Sequence, residues 1–428
     1  MALPQESKIL IIGAGCFGIS TAYHLLRRGF TDVTVIDRSE VLPAKDAASN
    51  DFNRIVRTSY ADPVYSNLAK EAIESWKKDA ADLWGDSYHE SGVVLLESFG
   101  SAPGSYADKA YENDLKQGIR VRRLESQKEI TQVFPPGITL SFRESRGHIN
   151  YDSGWADAGK AIGLMTSKVA SMGGKVIPGK AVKTLLRTNG KRTSGVECMD
   201  GSVFEADLVV IATGSWTPSA FPDLGLGEKC LATGQCAAMV QLSPKEANAY
   251  QSIPVVLAFN TGFYVFPPTE NNIMKMAFHR GGYTHTVGGI STPRTLVSAE
   301  NGLAVPKEIL GEFREHFRNA FPELAEKPFS STRLCWYNDT PDGDWIIGRD
   351  PDDPSLMFAT GGSGHAFKFL PVIGRVVADV IQGSLSPDLA RKFAVNRDFK
   401  DIDKSREGFN VPKELIIDQL CVAEDLAV

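Results

Sequence analysis

The stretch from Ile9 to Asp37 restricts what this chain can fold into more than any other. Residues 9–12 are an apolar run, followed by Gly13-Ala-Gly15-Cys16-Phe17-Gly18. An amphipathic stretch through Ala22, Leu25 and Leu26 closes at Gly29, and a second apolar run over residues 33–36 ends on Asp37. The order is strand, glycine turn, helix, strand, acidic residue. Glycines in that turn let the backbone approach a pyrophosphate at the helix N-terminus, where free N–H groups and the helix dipole favour an anion. The acidic residue closing the second strand is placed for a ribose hydroxyl. A glycine pattern of this kind is weak alone, but its flanking elements turn it into a dinucleotide-binding signature.

The rest of the chain does not continue as regular βαβ units, as a nicotinamide enzyme's would. Residues 64–78 read as a helix with Val64, Leu68, Ala72 and Trp76 on one face, a core-packing stripe. Short strands and Gly/Pro-rich turns follow at 91–105 and 135–147. Nucleotide-type elements then return: a helix at 158–172, strands within 175–186, and a buried parallel strand at 207–214 that ends in small residues. A nucleotide unit interrupted by other segments is a flavoprotein arrangement. The tail after about Pro387 is more charged and is expected to wrap over the surface.

At about 150 residues per domain, 428 residues suggest two or three folding units. The 46 basic and 52 acidic side chains, net −6, lack the basic footprint of a nucleic-acid or anionic-membrane binder. Cys16, Cys198, Cys230, Cys236, Cys335 and Cys421 are scattered without zinc spacing, so no metal is expected. The polar start carries no signal-type apolar region, and no apolar run is long enough to span a bilayer. The last residues, EDLAV, lack a Ser-Lys-Leu type of address. The expectation is a soluble, monomeric, cytoplasmic protein acting on small molecules, with the peroxisome as the alternative location.

Four further segments carry chemistry. Residues 262–279 read as a hairpin whose second strand puts Met274, Met276 and Phe278 on one face and Lys275, Ala277 and His279 on the other. At roughly 3.3 Å per residue, Lys275 and His279 share a face about 13 Å apart, a spacing that admits a flat ring. The same pattern fits a solvated edge with a snorkelling lysine. Arg54 and Arg57 share a face in a helix and diverge in an extended chain; guanidinium pairs suit carboxylates, and equally suit surface ion pairs. Cys335, in Arg333-Leu-Cys335-Trp-Tyr337, reads by itself as an inert buried thiol. Gly361-Gly362-Ser-Gly364-His365-Ala-Phe-Lys368 precedes a helix at about 371–382 and is suited to offering backbone donors to a ring or an anion.

Together these segments resemble the monomeric sarcosine oxidase family of flavoprotein amine oxidases, which includes pipecolate, fungal saccharopine and fructosyl amino acid oxidases. The motifs GAGCFG, RIVRTSY, KMAFH, RLCWYNDTPDGDWIIGRDP and GGSGHAFKFLPVIG stand in the family's order and spacing, from Ile9 to about Gly383. The resemblance implies FAD joined covalently through Cys335, with Lys275 activating O₂ beside the ring. Arg57 and Lys368 would grip a substrate carboxylate, while Arg54, Tyr264, His279 and Tyr337 would surround the amine. Val182 would meet the adenine. The remaining cofactor contacts implied are Gly13, Gly15, Cys16, Phe17, Gly18, Asp37, Arg38, Ser49, Asn50, Arg54, Ala212, Gly214, Trp216, Gly362, Gly364, His365 and Lys368.

The implied fold is α/β: a split Rossmann-like FAD-binding domain (1–90, 150–226 and 341–384) and a substrate domain with a mixed or antiparallel sheet (91–149 and 227–340). Residues 385–428 would be a C-terminal extension. The implied reaction oxidises a secondary amine bearing a carboxylate: a hydride equivalent passes to flavin N5, leaving an imine, and O₂ becomes H₂O₂. Two departures bear on the substrate. Residues 48–53 look like the fructosyl amino acid oxidase segment, but Arg54 stands where those enzymes have lysine. His279 replaces their sugar-recognising glutamate, in agreement with sarcosine oxidase. Plain N-alkyl or cyclic secondary amino acids are therefore expected to be preferred. The rivals are a fructosyl amino acid oxidase, a biosynthetic amine oxidase whose imine cyclises, a nicotinamide-dependent dehydrogenase and a non-catalytic flavin-binding protein.

Overall fold

Six strands form a twisted sheet in the order Ile346–Arg349, Leu356–Thr360, Leu208–Ile211, Lys8–Ile12, Asp32–Ile36, Lys175–Ile177, parallel except for the first. The computed structural model describes residues 3–101, 103–142, 145–189, 191–399, 402–406, 408 and 411–427. The central strands are near-continuous apolar runs because both faces of the sheet are covered. Ile9 and Ile11 face a core shared with the helices Cys16–Arg27, Ala158–Ser171 and Leu370–Gln382. Leu10 and Ile12, one residue out of phase, face Val196 and Cys198 of a three-stranded antiparallel sheet. The strand period of two thus sorts one apolar run between two cores.

The helix crossing beneath the glycine turn is unusually close. Ser20 Oγ donates to Leu370 O at 2.7 Å and accepts from Gly374 N at 2.9 Å. A Cβ on Gly374 would lie 2.1 Å from the Ser20 carbonyl. Gly374→Ala is therefore expected to force the helices apart, at a cost of about 1–3 kcal/mol for an overpacked core. The measurement is the urea midpoint of the flavin-loaded protein; a wild-type midpoint would show that the crossing yields freely.

A ten-stranded mixed sheet makes the other half. Its centre is the long antiparallel pair Leu231–Gln241 and Phe329–Asp339, flanked by Ile273–Phe278, Phe263–Val265 and Val255–Ala258. The hairpin expected at 262–279 is present, with Ala277 opposite Tyr264. Met274, Met276 and Phe278 pack into the core with Phe313 and Phe317 of the helix Glu308–Ala320. The opposite face, carrying Lys275, is turned to the site.

The helix read at 64–78 runs Pro63–Lys78, started by Pro63 and by Asp62, whose side chain accepts from Val64 N at 2.8 Å. The charged tail is not simply wrapped over the surface as expected. Phe393 and Val395 are buried in the cores beside the parallel sheet, and Leu415, Leu420 and Cys421 in the core of the large sheet. Lys413–Glu414 extends that sheet's edge. Isolated apolar residues dispersed among charges supply these anchors, which is why periodicity does not reveal them. Among the described residues no helix is long and apolar enough to cross a membrane.

Candidate active site

A cavity of about 1210 Å³ lies against the parallel sheet, above the roughly 300–1,000 Å³ usual for small-molecule pockets. Its floor is the glycine turn. Gly13 has φ +108°, and a Cβ there would meet Ala212 O at 2.5 Å; a Cβ on Gly18 would stand 1.8 Å from Gly13 O. Only glycine permits this turn to sit so close to the sheet. Ser49 Oγ accepts from Cys16 N at 3.0 Å at the start of the helix. Asp37 accepts from Ala14 N and Ser39 N, both at 2.8 Å, which fixes its carboxylate across the mouth of the turn. Arg38 stacks 4.0 Å from the centre of the Trp216 ring.

Of the residues the sequence assigned to the cofactor, Gly13, Gly15, Cys16, Phe17, Asp37, Arg38, Ser49, Arg54, Val182, Ala212, Gly214, Trp216, Gly362 and Gly364 line this cavity. The others do not. Gly18 supports the turn from below. Asn50 Nδ2 donates to Pro43 O and Ala44 O, so it shapes the adjoining loop. Cys335 stands behind Arg54, whose Nη2 donates to its Sγ at 3.2 Å. His365 bonds to Gly343 O at 2.9 Å and to the Tyr60 hydroxyl at 3.3 Å. The cavity and its glycine cradle fit a dinucleotide redox group.

Beyond Arg54 the site becomes a dense ionic cluster. Lys275 is 1% exposed, not a solvated edge residue. Its Nζ donates to Asp51 Oδ2 at 2.8 Å and to Asn53 O at 3.0 Å, and lies 5.0 Å from the centre of the Phe266 ring. Burial lowers its pKa to about 8, opposed by Asp51 and assisted by Arg54. Burial alone would raise Asp51, but Arg54, Lys275 and Arg333 hold its carboxyl well below the usual range. Asp51 is absent from the sequence-derived candidates; its signals are its place three residues before Arg54 and within the segment 48–53.

Arg54 belongs to the strand Arg54–Val56, so the chain is extended and Arg57 departs in another direction. Arg57 lies 4.4 Å and Lys368 Nζ 5.4 Å from the centre of the same ring, Tyr60. Trp76 Nε1, from the stripe of the helix Pro63–Lys78, donates to Lys368 O at 2.9 Å and so fixes that backbone. Lys368 Nζ donates to His365 O at 2.9 Å, while Arg57 Nη1 is buried without a partner among the described residues. Burial, then the neighbouring Arg57, pushes Lys368 well below its ordinary pKa. A guanidinium with an unmet donor converging with the Lys368 amine makes a receptor for an anion.

The polar end is closed by a segment the sequence did not single out. His279 Nε2 is 3.3 Å from Ser405 Oγ, and its ring centre is 6.1 Å from that of Tyr337. Arg406, 5% exposed, grips Asp339 through both terminal nitrogens at 3.0 Å and Asp403 through Nε at 2.9 Å. Burial lowers the His279 pKa far below its ordinary value, with Arg406 adding to the effect and Asp403 opposing it, so the imidazole is neutral near pH 7. Gly364, at φ +71°, lets its loop close on Tyr337, whose ring a Cβ would meet at 2.2 Å. Burial raises both Tyr264 and Tyr337, which keeps the phenols protonated.

A nucleotide-sized cavity lined by a glycine turn and by Arg54, which shares Asp51 with the buried Lys275, is the layout of a dinucleotide-dependent redox enzyme. Residues 8–380 match the FAD dependent oxidoreductase family, DAO, and the chain belongs to it. L-saccharopine oxidase from Schizosaccharomyces pombe is 30% identical over 404 residues, spanning 89% of this chain and 91% of that protein. Human peroxisomal sarcosine oxidase is 26% identical, over 87% of this chain and 91% of its own. A modified fructosyl peptide oxidase from Aspergillus nidulans superposes with a TM-score of 0.87 at 28% identity, covering 98% and 99% of the two chains. The family resemblance read from the motifs is borne out, and with it the dependence on FAD.

Proposed function

We propose that this enzyme oxidises a secondary amine carrying a carboxylate, an N-alkyl or cyclic amino acid, with O₂ as acceptor. The observation that carries the reading is the pair Arg57 and Lys368 meeting over Tyr60 with no ion-pair partner among the described residues. FAD, which the glycine turn at Gly13, Gly15 and Gly18 with Asp37 would hold, would supply two-electron redox chemistry between the amine's C–H and O₂, the two electrons and two protons lost on forming the imine being those that O₂ gains as H₂O₂. Arg57 and Lys368 hold the carboxylate and so fix the amine's distance from the cavity. Neutral His279 accepts from the amine N–H, and the Tyr264 and Tyr337 hydroxyls orient it. The Lys275 ammonium supplies fixed positive charge where oxygen gains electrons. Residues 1–90, 150–226 and 341–384 would form the FAD-binding part, and 91–149 with 227–340 the substrate part.

A second reading, a fructosyl amino acid oxidase, is favoured by the close superposition on a fructosyl peptide oxidase. Assaying peroxide release from sarcosine, pipecolate, saccharopine, N-methyl aromatic amino acids and fructosyl-valine separates the two. The reading also includes covalent attachment of FAD at Cys335, whose sulfur accepts from Arg54 at 3.2 Å. Acid-denatured protein should keep its yellow colour on the peptide containing Cys335. Cys335→Ser should fold and bind FAD but release all of it on denaturation; flavin released from the wild type would remove this assignment.

A further inference from the structure

Asp51 is the only acidic residue hydrogen-bonded to Lys275 among the described residues, and it is shared. Oδ2 accepts from Lys275 Nζ at 2.8 Å and also from Arg54 Nη1, while Arg333 Nη1 lies 3.9 Å from Oδ1. Both members of the lysine pair are buried, with side-chain exposures of 2% and 3%. Asp51, Arg54 in the strand Arg54–Val56 and Cys335 on the long strand Phe329–Asp339 face Lys275, while Tyr264 and Tyr337 face Arg54 and Arg333 faces Asp51. Two cations meeting at one oxygen repel each other strongly when solvent is excluded. The carboxylate between them is what lets both stay charged.

The hydrogen bonds point the same way. An ammonium has three donors. Those of Lys275 go to Asp51 Oδ2 and Asn53 O, leaving one uncommitted among the described residues. Asp51 thus fixes the orientation of the ammonium as well as its charge.

We propose that Asp51 is a positioning residue that holds Lys275 as an oriented ammonium beside Arg54 and thereby sets the pH above which the oxygen half-reaction fails. The proposal rests on the assignment of Lys275 to the oxygen step. An opposite charge in contact typically moves a partner's midpoint by about 1–3 pH units. In Asp51→Asn, burial and Arg54 both continue to disfavour the charged lysine, so its midpoint moves down from about 8.

The test is a pH titration of the FAD-loaded enzyme labelled with [ε-¹³C]lysine, the Lys275 signal being assigned by its loss in Lys275→Met. Stopped-flow reoxidation is followed over the same pH range. Asp51→Asn should lower the NMR midpoint by about 1–3 units and move the falling limb of reoxidation with it. Asp51→Glu, which keeps the charge, should bring the midpoint back toward that of the wild type. A wild-type midpoint in Asp51→Asn overturns the proposal. If Asp51→Asn does not fold, Arg54→Gln, which removes the repelling neighbour, must raise the midpoint, and an unmoved midpoint overturns the proposal equally. Normal reoxidation in Lys275→Met would remove the lysine from the oxygen step altogether. Slow reoxidation there with an unmoved Asp51→Asn midpoint removes only the role of Asp51.

Discussion

Lys275→Met should slow flavin reoxidation by about two to three decades while leaving reduction by substrate near the wild-type rate. One preorganised charge contact made in the transition state is typically worth about 3–4 kcal/mol, and on the proposed reading the buried Lys275 ammonium, fixed by Asp51, supplies it. The pH dependence follows from the charge. With its pKa lowered to about 8, Lys275 is an ammonium at pH 7 and mostly neutral at pH 9. Reoxidation should therefore fall as pH rises through about 8. Reduction should rise over the same range, because the substrate amine reacts as its neutral form. The two half-reactions then respond to pH in opposite directions. Slow reduction with normal reoxidation would place the lysine on the substrate side instead.

The second large effect concerns the carboxylate. A decarboxylated amine leaves Arg57 and Lys368 without their partner, and Arg57→Gln leaves the substrate carboxylate with Lys368 alone. Truncating one partner of such a pair costs about 2–5 kcal/mol, and each 1.4 kcal/mol is a factor of about ten. kcat/KM should fall by about 1.5 to 3.5 decades. Within the carboxylate-bearing amines, His279 offers no carboxylate to bind sugar hydroxyls, so a plain secondary amino acid should exceed fructosyl-valine in kcat/KM. Efficient turnover of fructosyl-valine alone would reverse that ranking. In that case Asp403, behind His279 and Arg406, becomes the acceptor to examine by substitution.

Local chemistry made part of this molecule legible. The glycine turn and its flanking strands are written within about thirty contiguous residues, since turn geometry and strand period are properties of neighbours. The alternation over residues 274–279 correctly separated the core face from the site face. It left open whether the site face is covered, because the cover comes from Asp51 and Asn53, more than two hundred residues earlier. Arg54 and Arg57 posed the same difficulty. Their divergence depends on an extended backbone paired with the strand Gly154–Ala156, which their own spacing does not encode. Asp51 and the segment around Arg406 escaped because they are buried by ion pairing, and ionic contacts leave no periodic trace.

The family match stops at residue 380, yet Ser405 and Arg406, the latter also paired with Asp403, pack against His279 and Asp339. The nucleotide cradle is tightly constrained, because a Cβ on Gly13 or Gly18 would strike backbone and one on Gly15 would meet Ser49 Oγ at 2.9 Å. The later segment answers only to a few charges. On the proposed reading, substitutions in this later segment should therefore change which amines are admitted while leaving the nucleotide cradle and its flavin affinity untouched.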